Sequence, residues 1–247
     1  MVTPSDTGGL AEPSGCVDLV AERRETCDCG DDARSGEYSA SADWPADVSR
    51  LLFERLAELG LQRRSVLEIG CGYGRLIVGS VIAGAARGTG IDIDADAIEA
   101  ARTRAREAGV GERVRLADED GASDALAPHD VVVLDRVICC EPDGELLVRR
   151  SVAAADWAYA ITVPETRGVR GAWNRVAYAG DAVWSWLTRQ ERVYLHDVTR
   201  LERLIGEAGF RVHRAERLGK WHLGIYLRTE PPPDGFRLSV KSRLRRP

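Results

Sequence analysis

From Ser65 to Val163 the chain repeats one unit: a short apolar run, a tight turn, then a longer stretch with helical spacing. SVLEIG leads into RLIVGSVIAGA and GTGIDI into ADAIEAARTRAREAG; VRLA follows, then DVVVLD leads into GELLVRRSVAAA, and WAYAITV closes the series. This alternation constrains the fold more than any other feature, because parallel strands need long crossover connections and a helix fills each one. It predicts an α/β fold with a doubly wound, mostly parallel, seven-stranded sheet and helices on both faces. The ending differs. FRVHRAERL and WHLGIYLR are joined by Gly219 and Lys220 alone, which predicts an antiparallel C-terminal hairpin.

Around this core the sequence divides further. Residues 1–36, rich in Gly, Ser, Asp and Pro, are expected to be a flexible N-terminal leader. Residues 37–63 hold Val48, Leu51, Leu52, Leu56 and Leu59 at helical spacing, with Asp47 as a cap and Gly60 as a stop, and are expected to form a helical lid. Residues 64–230 form the main domain, interrupted at about 164–196 by an aromatic insertion, and 231–247 are a basic tail. A net charge of −5 gives no general attraction to nucleic acid. No apolar run nears the roughly 20 residues that span a bilayer, so no membrane insertion is expected. With no secretory signal pattern at the N-terminus, the expected location is cytoplasmic, where the six cysteines are thiols. Cys16, Cys27 and Cys29 match no zinc spacing, and no metal is expected.

The most informative turn is VLEIGCGYGRL, residues 66–76, where Gly70, Gly72 and Gly74 alternate after an acid, Glu68. A glycine-rich turn between a first strand and its helix brings backbone N–H groups close to a ligand. The dinucleotide pattern G-x-G-x-x-G fails in both frames, at Arg75 and at Ile77, and no lysine for a P-loop occurs before Lys220. Asp92 ends the second strand 22 residues past Gly70. A carboxylate there matches a vicinal diol with its two oxygens.

The E-x-G-x-G-x-G spacing resembles the first motif of class I S-adenosylmethionine-dependent methyltransferases, whose sheet is Rossmann-like. The resemblance implies S-adenosyl-L-methionine as cofactor and S-adenosyl-L-homocysteine as product. Glu68, Gly70, Cys71, Gly72 and Gly74 would then hold the amino-acid end, and Asp92 with Ile93 the ribose. Glu119 or Asp120, with the backbone of Gly121, would face the adenine, and Asp135 and Arg136 would line the far wall. LDRVICCEPDGELL and the later VYLHDVTRLERLIGEAGF resemble a narrower branch containing magnesium-protoporphyrin O-methyltransferases and bacterial small-molecule methyltransferases.

That branch implies a small-molecule acceptor and a methyl transfer most often directed at oxygen. Candidate bases are His196, which follows the insertion, and Tyr178 within it; either can equally be structural. Tyr38, Ile138, Trp173, Tyr178 and Trp184 are candidate acceptor contacts, although the insertion aromatics suit packing or a homodimer contact equally well. His129, His213 and His222 are expected to be structural, and Cys139 and Cys140 small fillers. Two other functions fit the same motifs: a non-methylating reaction such as ring closure, or a partner subunit without catalysis.

Overall fold

The structure, a computed structural model, describes residues 48–122, 125–177 and 193–229. The leader, Tyr38, Asp47, Tyr178, Trp184 and the basic tail lie outside the described residues. Seven strands form one sheet in the order β3-β2-β1-β4-β5-β7-β6. They are β1 (Ser65–Ile69), β2 (Arg87–Asp92), β3 (Val114–Asp118), β4 (His129–Asp135), β5 (Ala155–Pro164), β6 (Phe210–Leu218) and β7 (Trp221–Arg228). The first five pair in parallel, and β7 inserts antiparallel between β5 and β6. Fold class, strand number and the terminal hairpin are those the sequence predicts.

The central parallel strands are apolar on both sides because both faces are covered, whereas the edge strand β3 buries only Leu116. In β4, Val131 and Val133 face one layer, Val132 and Leu134 the other, and all four are fully buried. The first layer holds α1 (Val48–Leu59), α2 (Arg75–Ile82) and α3 (Ala95–Glu107), with Leu52, Leu56, Ile77 and Ile98 in its core. The second holds α4 (Gly144–Ala153) and α5 (Val198–Glu207), with Leu147, Leu201 and Ile205 packed on Tyr159 and Phe210. Helix starts follow side-chain chemistry: Asp94, Asp143 and Asp197 each accept backbone N–H groups from the first turn of their helix. Gly60 ends α1 at φ 96°, where a Cβ is unfavourable. Among the described residues no helix is long and apolar enough to cross a membrane.

The carboxyl ends of β1, β2, β4 and β5 share one edge, where the order reverses from β1-β2 to β1-β4. Ligands of open α/β sheets bind at such a reversal. The amino edge has its own clamp: Asp130 accepts the backbone N–H and hydroxyl of Ser65, each at 2.8 Å, fixing β1 against β4. His129, expected before β4, is its buried first residue and bonds Thr89 on β2 at 3.0 Å.

Beyond the end of β5, Glu165 is 1% exposed and meets Arg167 at 3.0 Å and Arg217 at 2.7 Å. Burial alone would raise its carboxyl; hydrogen bonds from Arg167 and the charges of Arg167 and Arg217 outweigh that and hold it at about 2. Its stabilising contribution is therefore complete above the ordinary glutamate range near 4.5 and declines as pH falls from there toward about 2. Glu165→Gln should remove that pH dependence and lower the unfolding free energy by about 2 kcal/mol, as urea unfolding at pH 7 and pH 3 would measure.

Candidate active site

Three glycines between β1 and α2 stand in left-handed backbone conformations, with φ of 70°, 47° and 73° at Gly70, Gly72 and Gly74. They do different work. A Cβ on Gly70 would fall 2.4 Å from Val137 Cγ2, and one on Gly74 would fall 2.8 Å from Ala101 Cβ on α3. A Cβ on Gly72 would meet nothing within 4 Å. Gly70 and Gly74 are bare so that protein can close around the turn, and Gly72 faces open space.

The backbone donors of this turn differ from expectation. Gly70 and Cys71 both donate to the Ile91 carbonyl, at 2.9 and 3.0 Å, and Gly74 donates to Cys71. Gly72 donates to Asp92 Oδ2 at 2.7 Å. These N–H groups hold the turn on β2 and are not aimed outward, so the turn offers a ligand room and shape. Arg104 on α3 braces it from outside, donating to the Tyr73 carbonyl at 2.5 Å. The Cys71 side chain packs on bare Gly90 in the core, and burial raises its thiol well above the usual range. Only its backbone belongs to the turn.

Three acids converge at this edge. Glu68, at the end of β1, is 3% exposed, and its Oε2 is buried with no hydrogen-bond partner. Burial first, then the neighbouring charges of Asp135 and Asp92, raise its carboxyl well above the ordinary value. Asp92 is half-buried beside Ile93; burial raises its carboxyl, against hydrogen bonds from Asp94 and Gly72. Asp92 Oδ2 accepts the Gly72 N–H and Oδ1 that of Asp94, and the Ile93 backbone gives the carboxylate a further hydrogen bond. The Ile77 backbone hydrogen-bonds the Glu68 carboxyl, but the oxygen left bare among like charges is unfavourable alone and is relieved by a cation.

The far wall starts at Asp135, the last residue of β4. Arg136 follows at φ 54°, a conformation that L side chains rarely adopt. Thr162 on β5 holds it there: the hydroxyl accepts the Arg136 N–H at 2.8 Å and donates to Asp135 Oδ1. The sequence reading missed Thr162, and its only signal was a hydroxyl in the otherwise apolar run WAYAITV. Arg104 carried no signal, being one of several arginines on α3.

On the β3 side, Asp120 Oδ1 accepts the Ala122 N–H at 2.8 Å, while Glu119 turns outward to pair with Arg115. Gly121 lies flat on Ile69, where a Cβ would fall 2.4 Å from Cγ2. Of the two candidate acids, Asp120 is the one held against the turn before Gly121.

On the acceptor side the placements diverge. Ile138, expected on the wall, is fully buried in the second core layer, because the single 3-10 turn Ile138–Cys140 rotates it inward. Trp173, expected to cover an acceptor, is 71% exposed. His196 is half-buried over Gly144 and bonds the Glu141 carbonyl through Nε2 at 2.9 Å. Tyr194 donates to the Cys139 carbonyl at 2.7 Å, which fixes this segment on the turn after β4. The Cys139 and Cys140 thiols, which form no disulfide, both donate to the Arg136 carbonyl. Among the described residues no group of three or more His, Cys, Asp or Glu is placed to hold a metal.

Comparison with known proteins bears on this geometry. Residues 66–154 match the family model of a methyltransferase domain. Over 87 residues the chain is 43% identical to ribosomal protein L11 methyltransferase from Serratia proteamaculans (strain 568), and 43% to that of Pasteurella multocida (strain Pm70). Each match covers 35% of this chain and 29% of the relative, so the chain matches under a third of the length of these curated relatives. Magnesium protoporphyrin IX methyltransferase from Synechocystis PCC 6803 with bound SAH superimposes with a TM-score of 0.57 at 21% identity, over 73% of this chain and 80% of that one. An O-methyltransferase family protein from Burkholderia thailandensis gives 0.59 at 20%, over 74% and 56%. The fold is the methyltransferase fold.

Thr162→Val should leave the Arg136 N–H without an acceptor and cost about 1–3 kcal/mol in urea unfolding. Thr162→Ser, which keeps the hydroxyl, should restore most of that loss.

Proposed function

We propose that this chain is an S-adenosylmethionine-dependent methyltransferase acting on a small molecule, with transfer to oxygen. One observation carries the reading: the buried, unpartnered Glu68 oxygen, flanked by Asp92 and Asp135, beside a turn whose central glycine faces open space. This anionic cradle fits a ligand bearing an ammonium and a sulfonium, and the two oxygens of Asp92 match a ribose diol. Structural relatives with bound SAH and SAM, and others named as O-methyltransferases, support the same reading.

When bound, the cofactor supplies an electrophilic methyl group on sulfonium. The residues of this chain position and desolvate. Glu68 and Asp92 orient the two ends of the ligand, Gly72 admits it, and the wall at Asp135–Val137 keeps water from the reacting face. His196 is the candidate base. The Glu141 carbonyl can only accept, so Nε2 carries the proton and Nδ1 of the neutral ring is the free acceptor for an acceptor hydroxyl.

The test is transfer of labelled methyl from S-adenosylmethionine to a panel of phenols and carboxylic acids, with ribosomal protein L11 as the competing macromolecular acceptor. Label on L11 alone would reject the small-molecule reading, and ring-closed product without label would reject methyl transfer. Asp92→Ala should weaken cofactor binding more than tenfold in calorimetry, about 1.4 kcal/mol or more. Affinity should also fall as pH is lowered through a value above the ordinary carboxylate range, because protonating Glu68 removes the charge opposite the ligand's cation. His196→Ala should cut turnover at least tenfold with cofactor affinity unchanged.

A further inference from the structure

Helical residues 168–177 are amphipathic in the inverse sense. Their polar side chains face the protein: Arg170 donates to the Gly219 carbonyl at 2.9 Å, Asn174 to those of Glu165 and Lys220, and Arg175 to Thr166. Gly171 lies so close to the Thr166 backbone that a Cβ would overlap it. The apolar side chains face out. Val169, Trp173 and Val176, spaced i, i+4 and i+7, are 77%, 71% and 68% exposed. A helix normally turns such a stripe toward the core. A tryptophan between two valines on the outer face marks a docking surface.

We propose that residues 1–47 of the same chain dock on this face. The charge balance favours them. That stretch holds eleven acids against three arginines. The rim of the stripe is basic: Arg170, Arg175 and Lys220 are exposed, and the first two bond backbone carbonyls, which leave their charge unbalanced. Two copies of this rim would repel each other, which disfavours a symmetric contact between chains.

Chain geometry favours the same occupant. Arg55 pairs with Glu216 and Glu58 with Arg214, so α1 runs antiparallel to β6. Val48 lies about 10 Å N-terminal to Arg55 along the helix. Gly219 lies about 10 Å beyond Glu216 along the strand. The chain therefore enters α1 level with the β6–β7 turn, the turn that Arg170 and Asn174 grip. Forty-seven residues reach well beyond the distance required. Leu10, Val17, Leu19 and Val20 lie among the acids as apolar anchors for Val169, Trp173 and Val176.

The experiment uses the full chain with Trp173→p-benzoylphenylalanine, irradiated at low concentration and mapped by peptide mass spectrometry. Crosslinks within one chain to residues 1–47, falling at least threefold in yield between 50 mM and 500 mM NaCl, are expected. Crosslinks between chains, crosslinks confined to residues 178–192, no crosslink, or a yield indifferent to salt would each overturn the proposal. Trp173→Asp in the full chain supplies a second readout. Because that side chain is exposed, the melting transition of the domain should hold, while amide exchange over residues 1–47 speeds up at least tenfold. Unchanged exchange there overturns the docking.

Discussion

Everything at the carboxyl edge depends on one contact, the Val137 side chain seated on bare Gly70. It joins the exit of β1 to the exit of β4 at a separation that admits no Cβ. Two supports hold it. From below, Asp130 clamps Ser65 and sets β1 against β4. From the side, Thr162 holds Arg136 in the left-handed conformation that swings Val137 across. A methyl group at position 70 would have to displace Val137, and with it the wall that follows. The glycine at this position is a packing requirement between two strand ends as well as a turn requirement.

Charge gathers beside that packed junction. Glu68 is buried at the same edge and feels the charges of Asp135 and Asp92, with Arg136, paired to Asp135 at 3.9 Å, acting in the opposite sense. Burial of a carboxyl oxygen without a partner costs stability, and such a group points to a role. Acids at this edge disfavour a phosphate or pyrophosphate, which agrees with a spacing that lacks the third glycine.

How much of this the sequence revealed follows from how each feature is encoded. The sheet was legible because alternation of strand and helix patterns leaves few topologies. The turn at Gly70, Gly72 and Gly74 was legible because a backbone at positive φ leaves a pattern of missing side chains. Thr162 was not, since its role arises only when β5 is laid beside β4. Ile138 was misplaced for a related reason: a single 3-10 turn reverses which side chain points inward, and no periodicity marks so short an element. The outward stripe on residues 168–177 was legible only as aromatic content, because the side it faces is decided by Arg170, Asn174 and Arg175 reaching backbone carbonyls of distant segments.

The turn Ile138–Cys140 also links the glycine turn to the segment that carries His196, the proposed base. Its first side chain is locked in the core, while the Cys139 and Cys140 thiols hang from the Arg136 carbonyl. Its backbone then accepts the acceptor side: Cys139 takes the Tyr194 N–H, and Glu141, just beyond, takes the His196 ring. A continuous path of contacts therefore runs from Gly70 through Val137 and this turn to His196. Any ligand that presses on Val137 from the glycine turn acts on the element that positions the imidazole. Rigid coupling of this kind suits a transfer whose rate depends on holding two reactants in line, where a displacement of about 1 Å costs on the order of a hundredfold.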